Sequence, residues 1–429
     1  MKEYLFRITQ NQLSALGGLL AAKTRDEAIL CACGSGQAVF PQGVVRESWS
    51  FRESCGGVKE NQVKQCTGDE STKYCVFSDN MEQLERVSYP SDTCLWGLIV
   101  GQDLRAFRYQ NGLIPVDVTA VAGHTLHYKF GTPDSLHEKV QLHERTIQAF
   151  GKGTTEYLAN LTVGIAGASG TGSIVAEQLY RLGVKRLVLV DDDYVEERNL
   201  GRILNSTSTD AKNQVNKAEM LKRAYNRIGM GTEVIAVPTV IGTPDTVKLL
   251  SQCDLIFGCL DSADGRMHLN RLCTFYTVPY IDVGVKLKSE SGAISEISGA
   301  VRYIIPGEAS MLSIGAYTLE QAESEALRRQ DPEVYRARLA EKYIQGAQEG
   351  SPAVISVNMC IGSLAVLELL NRIHEYRDIE NKKVEVLSIN LLEPAFPQPT
   401  APAERDSSLS KYLGKGDCVP LLDMPGIGV

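Results

Sequence analysis

The sequence predicts an α/β protein with a doubly wound, mostly parallel Rossmann-like sheet, an antiparallel extension of that sheet, and a separate N-terminal α/β domain. From Leu161 onward, short apolar runs alternate with amphipathic stretches, which is typical of a parallel sheet with right-handed helical crossovers. The first run is followed by Gly167, Gly170 and Gly172, and the next run ends in three aspartates. This order indicates a strand, a phosphate-binding turn at a helix N-terminus, and a second strand.

The secondary-structure elements of this region follow from its periodicity. Strands are predicted at residues 162–166, 186–190, 233–237, 254–258, 280–283 and 383–390, with helices at about 173–183, 212–228, 244–251 and 265–275. Residues 285–305 alternate apolar and polar side chains and therefore predict one or two antiparallel strands. Two charged helices are expected over residues 319–345, interrupted at Asp331-Pro332, and a longer helix over residues 353–374.

Five polar side chains suited to a nucleotide follow the glycine turn, namely Asp191, Asp193, Asn199, Arg202 and Lys217. Asp191 ends the second strand, where a carboxylate can accept hydrogen bonds from a ribose diol. The glycine spacing alone fits a dinucleotide dehydrogenase equally well. Arginine and lysine facing a phosphate turn favour a triphosphate, because nucleotidyl transfer requires its negative charge to be neutralised. The alternatives are local: Asn199 and Arg202 as turn residues, and Lys217 as one of several exposed helix charges.

Asp261 follows the fourth predicted strand and is expected at the carboxyl edge of the sheet, where open α/β sheets bind ligands. One interpretation is a ligand of Mg²⁺ or of the triphosphate. The other is an N-cap for the helix that starts near Gly265, since aspartate is well suited to capping. The edge position favours the first interpretation, and both can hold together.

These residues resemble the ThiF/MoeB/E1 superfamily, whose members adenylate the C-termini of ubiquitin-like proteins and sulfur carriers. The matching segments are GASGTGS, DDDYVEERNLGR, the helix that carries Lys217, and LDSADGRMHLN with Asp261, Arg266 and Asn270. Upstream, HERTIQAFG is similar to an arginine-containing segment of that superfamily. The resemblance covers roughly residues 143–376 and does not extend to the first 135 residues.

The resemblance implies an enzyme that uses ATP and Mg²⁺ to adenylate a protein C-terminal carboxylate, with pyrophosphate as the leaving group. It implies roles at the nucleotide for Gly167, Gly170, Gly172, Asp191 and Asp193, at the phosphates for Asn199, Arg202 and Lys217, and at Mg²⁺ for Asp261. It also implies a homodimer in which Arg145 reaches the triphosphate of the neighbouring subunit. The alternative for Arg145 is a solvated charge on an amphipathic helix at residues 136–150.

Three domains are expected: an N-terminal α/β domain at residues 1–135, an adenylation domain at 136–392, and a Pro-rich arm with the C-terminal tail at 393–429. The first is predicted to contain a helix at 10–22 and strands at 28–33, 94–100 and 104–109. It faintly resembles a JAB/MPN metalloprotease, but no H-x-H precedes Ser91-Asp92, so metal-dependent isopeptidase activity is not expected. Its six cysteines form no pair of C-x-x-C elements and are interpreted as free buried thiols.

The chain departs from the superfamily in two respects. Many relatives hold a structural zinc ion with two C-x-x-C pairs, whereas the corresponding segments here read Ser310-Met311-Leu312-Ser313 and Ser407-Ser408-Leu409-Ser410. Because serine hydroxyls stay protonated and bind Zn²⁺ poorly, zinc is predicted to be absent. No cysteine lies between residues 274 and 359, so a thioester would need Cys360 or Cys418. Cys418 is the candidate, in a tail expected to be mobile, with Lys415 close enough in sequence to favour the thiolate.

Charge and hydropathy exclude several classes of partner. A formal net charge of −8 argues against unaided binding to nucleic acid or to an anionic membrane. The N-terminus has no apolar core long enough for a signal peptide, and no apolar run approaches the roughly 18 residues of a membrane helix. A cytoplasmic protein with reduced thiols is therefore expected.

The preferred setting is the E1-like step of a bacterial conjugation pathway, some of which are antiviral, with a ubiquitin-like or sulfur-carrier protein as substrate and an E2-like protein as a further partner. One alternative is an enzyme that adenylates a peptide or sulfur carrier without a conjugation cascade, with the N-terminal domain binding that peptide. Another is a non-catalytic E1-like scaffold subunit. A Rossmann oxidoreductase is disfavoured by the set Asp191, Arg202, Lys217 and Asp261.

Overall fold

Two mixed β-sheets organise the chain, one of nine strands in an N-terminal unit and one of eight strands in a C-terminal unit. The computed structural model describes residues 2–23, 27–41, 43–59, 62–63, 73–131, 142–290, 293–340, 354–393, 398–400, 403–424 and 427. The domain boundary predicted between residues 135 and 136 lies outside this part, and Gly131 is the last described residue before it.

The N-terminal unit is built mainly of strands. They are β1 (Lys2–Thr9), β2 (Glu27–Val39), β3 (Val45–Lys59), β4 (Lys73–Ser78), β5 (Cys94–Val100), β6 (Asp103–Tyr109), β7 (Leu113–Pro115), β8 (Val118–Ala122) and β9 (Leu126–Phe130), with helices α1 (Gln10–Ala22) and α2 (Met81–Val87). Their order in the sheet is β7-β6-β5-β4-β2-β3-β1-β8-β9. The predicted helix at 10–22 and the strands at 94–100 and 104–109 are confirmed, and the strand predicted at 28–33 is part of the longer β2.

Helix α1 shows why these local predictions succeed. The Thr9 side chain accepts a hydrogen bond from the backbone N–H of Gln12, and the Gln12 side chain accepts one from the backbone of Thr9, which forms a capping box. Leu13, Leu16 and Leu20 then repeat at helical spacing and are buried against the sheet.

The C-terminal unit has the predicted alternation of strands and helices. Its strands are β10 (Thr162–Ala166), β11 (Arg186–Val190), β12 (Glu233–Val237), β13 (Leu255–Gly258), β14 (Tyr280–Glu290), β15 (Ala293–Ile304), β16 (Val386–Asn390) and β17 (Gln398–Thr400). Its helices are α3 (Glu144–Leu158), α4 (Gly170–Leu182), α5 (Ser208–Lys212), α6 (Lys217–Ile228), α7 (Pro244–Leu250), α8 (Ala263–Phe275), α9 (Leu319–Gln330), α10 (Pro332–Ala340), α11 (Ile355–His374) and α12 (Ser407–Ser410).

The order of this sheet is β12-β11-β10-β13-β14-β15-β16-β17. The first five strands are parallel, and β15, β16 and β17 each pair antiparallel with the preceding strand. All five residues of β10 and of β11 are buried, as expected for central strands covered by helices on both faces. The predicted doubly wound sheet with an antiparallel extension is confirmed, and so is the helix break at Pro332.

Three predicted segments differ from the structure. The helix predicted at 212–228 is observed as α5, which ends at Lys212, and α6, which begins at Lys217 because Asn216 caps it. The helix expected at 136–150 is observed as α3, which begins at Glu144 and continues to Leu158 across a kink at Gly151, where φ is 82°. Glycine adopts this left-handed conformation without strain, so the chain bends there instead of ending the helix. Residues 136–141 lie outside the described part. The arm and tail are packed where they are described: β17 pairs with β16, and Gly414 and Gly416 donate backbone hydrogen bonds to α8 carbonyls.

The N-terminal unit packs against the amino edge of the parallel strands. The Arg7 guanidinium donates to the carbonyls of Ser251, Cys253 and Tyr276, and the Tyr128 hydroxyl donates to that of Asp254. Residues 251–254 immediately precede β13, so they mark the edge at which the parallel strands begin. The opposite, carboxyl edge is therefore left open for a ligand.

Helix α11 packs on α4 and on the antiparallel strands. Among the described helices it is long and apolar enough, by length and composition, to cross a membrane, but 61% of its most apolar window is buried inside the protein. A core helix of a globular domain has this character.

Candidate active site

A cavity of about 390 Å³ opens at the carboxyl edge of the parallel strands. Polar residues dominate its wall: Ser169, Thr171, Asp191, Asp192, Asp193, Arg202, Lys217, Asp261, Arg266, His268, Arg329 and Asn358. They come from the β10–α4 turn and the start of α4, the ends of β11 and β13, the loop before α5 that holds Arg202, and helices α6, α8, α9 and α11. The topology thus gathers at one edge residues that are 189 positions apart in the chain, from Ser169 to Asn358 (358 − 169 = 189).

Two glycines of the turn are required by close backbone contacts within the protein, and not only by the approach of a ligand. Gly167 has φ +89°, and a Cβ there would lie 2.5 Å from the carbonyl oxygen of Cys259. Gly172 does not line the cavity; a Cβ on it would lie 1.7 Å from the carbonyl oxygen of Gly167. Helix α4 begins at Gly170, and its N-cap Ser169 makes no side-chain capping hydrogen bond. The first-turn N–H groups of α4 therefore face the cavity without a side-chain cap.

Asp191 lies at the end of β11, as predicted, and lines the cavity. One carboxylate oxygen accepts from the backbone N–H of Ala168 at 2.6 Å and the other from that of Asp193 at 2.9 Å. Each oxygen keeps a second lone pair for a ligand hydroxyl. Burial raises the pKa of this carboxyl to about 6, although Lys217 and the two backbone amides oppose that shift. Asp191 thus fixes the glycine turn and remains available to a ribose.

Lys217 is buried at the start of α6, with 5% of its surface exposed. Its Nζ lies 2.7 Å from Oδ2 of Asp193 and 4.0 Å from Oδ1 of Asp191. Asn216, the N-cap of α6, donates to the carbonyls of Asp191 and Asp193 and so holds this helix against the end of β11. The interpretation of Lys217 as an exposed helix charge is therefore wrong, since the side chain points into the structure at the cavity.

Arg202 is half-buried and lines the cavity. Its Nε is buried and has no hydrogen-bond partner within the described residues, and no ion pair involves its guanidinium there. A buried donor without a partner is costly and is usually satisfied by a ligand or water. Arg202 is consequently the cationic group of the cavity that is free to bind an anion.

Asp261 is exposed at the cavity, beside the N-terminus of α8. The capping interpretation does not apply to it, because the N-cap of α8 is Ser262, and the carboxylate of Glu325 on α9 accepts from the N–H groups of Ala263 and Asp264. Arg329, also on α9, pairs with the buried Asp264 at 2.5 Å. Helix α9 therefore caps α8 and leaves Asp261 available for a ligand.

A family model described as the ThiF family matches residues 143–411, more than half of the 429-residue chain. The chain belongs to the ThiF family. The match begins at His143 and includes the glycine turn, the cavity and helix α11, but not the N-terminal unit.

Sequence relatives of this ThiF-family chain are named for ubiquitin-like modifier activation. Ubiquitin-like modifier-activating enzyme 5 of Branchiostoma floridae is 30% identical over 162 residues, which is 36% of this chain and 38% of that protein. The protein of the same name from Drosophila willistoni is 28% identical over 162 residues, with the same shares. The chain thus spans well under half the length of these relatives.

Solved structures give partial likenesses. The structure of E. coli MccB with ATP has a TM-score of 0.45 and 18% identity, covering 61% of this chain and 72% of MccB. The structure of MccB in complex with N-formylated MccA has a TM-score of 0.47 and 18% identity, covering 63% of this chain and 75% of MccB.

Some of the predicted ThiF-family site residues lie away from the cavity in a single chain. Asn199 is buried, and its side-chain oxygen accepts from the backbone N–H of Glu196 as part of a capping box in a short 3₁₀ turn. Arg145 is exposed on α3 and donates to Gln148. Cys418 packs beside the tail segment, with its thiol 3.1 Å from the carbonyl oxygen of Pro420. None of these three residues lines the cavity.

Arg266, which contributes to the superfamily resemblance, is engaged within the fold. Its Nε donates to Asp282 at 3.0 Å and its Nη2 to the carbonyl of Leu260 at 2.6 Å. Arg302 and Tyr280 also donate to the fully buried Asp282. This network ties α8 to β14 and β15 and supports the cavity floor.

The structure adds cavity residues that sequence reasoning missed, namely His268, Arg329 and Asn358. Arg329 and Asn358 belong to α9 and α11, which reach the cavity only through tertiary packing. His268 is one turn beyond Asp264 on α8, and its Nδ1 lies 2.7 Å from the Asp264 carbonyl. Its helical spacing from Asp261 was the only signal that could have pointed to it.

The two S-x-x-S segments meet in space. Ser310 and Ser313 bond reciprocally through their backbone N–H and hydroxyl groups. The Ser310 hydroxyl also donates to Oδ2 of Asp406 at 2.5 Å, and Asp406 is the N-cap of α12, which contains Ser407–Ser410. Asp406 thus links the first S-x-x-S segment to the helix that contains the second. In the N-terminal unit, Cys31, Cys33, Cys75 and Cys94 are buried, as predicted, and Cys75 and Cys94 are free thiols, while the Cys55 side chain and Cys66 lie outside what is described.

Proposed function

We propose that this protein adenylates the C-terminal carboxylate of a ubiquitin-like or sulfur-carrier protein, using ATP and Mg²⁺. The observation that carries the proposal is the cavity at the carboxyl edge, in which an unpaired Arg202 faces an uncapped helix N-terminus between two carboxylates, Asp191 and Asp261. Membership in the ThiF family and the names of the sequence relatives support the same class of reaction.

ATP fits the donors and acceptors of the cavity. Asp191 offers acceptors to a ribose, while the N-terminus of α4, Arg202 and Lys217 offer donors to phosphates. Lys217 uses one of its three N–H bonds on Asp193 and keeps two for a ligand.

Magnesium also fits, provided that phosphates supply part of its coordination. Within the described residues, no group of three or more His, Cys, Asp or Glu side chains is arranged to hold a metal ion by itself. Mg²⁺ typically takes one or two carboxylates, several waters and substrate phosphates, and the exposed Asp261 supplies one such carboxylate. When bound, the ion would neutralise charge on the phosphates and favour departure of pyrophosphate.

The reaction is an in-line displacement that needs little acid–base chemistry. A carboxylate oxygen of the substrate attacks the α-phosphorus, the bond from that phosphorus to the bridging oxygen breaks, and pyrophosphate leaves with the electron pair. The products are an acyl-adenylate and pyrophosphate. Arg202 and Lys217 stabilise the negative charge that spreads over the phosphate oxygens, and the walls of the cavity orient the two reactants.

The direct test is exchange of labelled pyrophosphate into ATP. Exchange is expected only when the protein or peptide substrate is present, because the acyl-adenylate must form and revert. Asp261→Ala should abolish exchange while leaving the unfolding transition unchanged, since the side chain is exposed. Asp378→Ala, which removes another exposed aspartate, is the matched control and should retain exchange. Full exchange by Asp261→Ala would refute the magnesium assignment.

We further propose a homodimer in which Arg145 acts on the partner's site. Apolar side chains are exposed along the outer face of α11, where Met359 is 40% and Leu367 43% exposed. Tyr376, 47% exposed, lies beside Leu367 and pairs with the ring of Phe150 on α3, the helix that carries Arg145. A surface with exposed apolar residues next to Arg145 supports a twofold contact there.

Subunit mixing tests this arrangement. Arg145→Ala and Asp191→Ala chains should each be inactive alone, and mixed dimers should regain one working site, in which wild-type Arg145 faces an intact Asp191 pocket. Arg145→Ala should change stability by less than about 0.5 kcal/mol, because the side chain is exposed. Failure to recover activity after verified subunit exchange would mean that Arg145 does not act across the dimer.

The E1-like step of a bacterial conjugation pathway, with an E2-like partner and in some cases an antiviral role, is the biological setting that we propose. A thioester on Cys418 would distinguish it from an enzyme that only adenylates a peptide or carrier. The expected result is a thiol-sensitive adduct with the substrate that Cys418→Ser abolishes. Adenylation without such an adduct would favour the peptide- or carrier-adenylating alternative, and a chain without exchange activity would favour the scaffold alternative.

A further inference from the structure

Asn358 is a cavity residue contributed by the first turns of α11, far in sequence from the phosphate turn. Only 2% of its surface is exposed. Its amide nitrogen lies over the N-terminus of α4: a Cβ built on Gly170 would be 2.3 Å from Nδ2 of Asn358. The carboxamide is therefore held against the glycine turn by close packing.

Within the described residues, no hydrogen bond to the Asn358 side chain is found, while its backbone N–H donates to the carbonyl of Val354 at the start of α11. Burying an amide without a partner is costly, and a side chain of similar volume without polar atoms would avoid that cost. Buried polar groups that the fold leaves unpaired are characteristic of ligand sites.

Two other hydrogen-bond donors, the Arg202 guanidinium and the N-terminus of α4, lie beside Asn358. The Cβ position on Gly170 is 3.6 Å from Cδ of Arg202, so the arginine and the amide meet at the same glycine. Arg202 has a buried Nε without a partner among the described residues, and the first turn of α4 lacks a side-chain cap. A guanidinium, an amide and a helix N-terminus that converge on one point favour an anion.

We propose that Asn358 binds a phosphate oxygen of the nucleotide together with Arg202, through its Nδ2 amide group. The proposal rests on the proposed function for the identity of the nucleotide. It assigns to helix α11 a direct contact with the ligand, and it explains why an unpartnered asparagine occupies an otherwise apolar stretch of that helix.

The test compares binding of ATP and of inorganic tripolyphosphate by isothermal titration calorimetry, each with Mg²⁺, in the full-length protein. Asn358→Leu should weaken both ligands by about ten- to a hundredfold, which corresponds to the loss of one hydrogen bond to a charged group. Asn358→Asp should weaken them further, because it places a negative charge beside the phosphate. Ser356→Ala, at an exposed position on the same helix, is the control and should bind as the unmodified protein does.

Thermal unfolding separates this role from a structural one. Asn358→Leu removes an unpartnered amide, so its Tm should be equal to or above that of the unmodified protein. A Tm lowered by several degrees, or unchanged binding of both ligands, would overturn the inference. Binding of neither ligand by the unmodified protein would refute this inference and the proposed function together. Normal ligand binding that depends on Asn358, with no pyrophosphate exchange, would refute the proposed function alone.

Discussion

The two edges of the eight-stranded sheet use buried arginines in opposite ways. At the amino edge, Arg7 donates three hydrogen bonds to backbone carbonyls, and Arg46 donates to the Gln252 carbonyl and pairs with Asp254 at 3.0 Å. At the carboxyl edge, Arg202 has neither an ion pair nor a partner for its Nε among the described residues. At the amino edge, arginines of the N-terminal unit are bonded to groups of the sheet. At the carboxyl edge, we expect a ligand to bind Arg202.

This difference distinguishes structural from functional arginines in the chain. All three arginines are buried or half-buried, so burial alone does not distinguish them. What distinguishes them is how many of their donors the protein itself satisfies. The Nε of each of the three has no hydrogen-bond partner among the described residues, but the terminal nitrogens of Arg7 and Arg46 donate to groups of the protein. An arginine whose terminal nitrogens are bonded within the protein stabilises the fold, whereas Arg202 keeps its donors for a ligand.

The largest expected effect concerns stability at the amino edge. Arg46→Ala should lower the free energy of unfolding by about 3–5 kcal/mol, because it leaves the fully buried Asp254 carboxylate without its ion-pair partner. Arg202→Ala should lower it by less than about 1 kcal/mol, since no ion pair of the protein is lost. Urea denaturation of both variants measures the contrast, with the exposed Arg105→Ala as control. An equal loss of unfolding free energy in Arg46→Ala and Arg202→Ala would contradict this distinction between the two edges.

The carboxyl edge should also respond to pH through Asp191. Burial raises the pKa of its carboxyl to about 6, so the group is ionised above that pH and accepts hydrogen bonds best there. Adenosine, which carries no phosphate to titrate, should therefore bind more weakly as pH falls below about 6, by up to about tenfold per pH unit. Calorimetric titration from acidic to neutral pH is the measurement. Asp191→Asn should bind weakly with a flat profile, and a flat profile in the unmodified protein would contradict this assignment.

The same shift has an opposite consequence for stability. Because the folded-state pKa of Asp191 lies above the ordinary aspartate value of 3.8, the folded protein binds the proton more tightly than the unfolded chain does. This group therefore makes the free energy of unfolding decrease as pH rises from about 4 to 6. Such a decrease in stability is expected at a cavity residue whose function requires a buried, ionised carboxylate.

Sequence reasoning predicted the eight-stranded sheet well because most elements there carry their own local signal. The apolar runs of β10 and β11 and the break at Pro332 are all short-range features. The same holds for Asp191 and Asp261, since a residue that follows a parallel strand must lie at the carboxyl edge.

What the sequence did not reveal depends on contacts between distant segments. Asn358 reaches Gly170 across 188 positions (358 − 170 = 188), and nothing in the local pattern of α11 marks it. Asn199 shows the converse: its spacing from Asp191 suggested a phosphate contact, yet its side chain is used in a local capping box. The packed tail was expected to be mobile because glycines in sequence indicate flexibility, whereas Gly416 here touches Ser35 of the N-terminal unit.

The smallest expected effect is at the S-x-x-S segments, which lie on the amino-edge side, where Glu308 accepts a hydrogen bond from Asn11 of the N-terminal unit. Ser310→Ala should lower the free energy of unfolding by about 1 kcal/mol, the usual contribution of one hydrogen bond, since Ser310 donates to Asp406.

The unmodified protein should contain no stoichiometric zinc and should keep its Tm in chelator. Because the two segments meet in space, replacing Ser310, Ser313, Ser407 and Ser410 by cysteine should create a site for one zinc ion per chain, detectable by elemental analysis. The Tm of that variant should then fall in chelator, as binding that favours the folded state predicts. Zinc in the unmodified protein, or none in the cysteine variant, would show that hydrogen bonds have not replaced a metal at this edge.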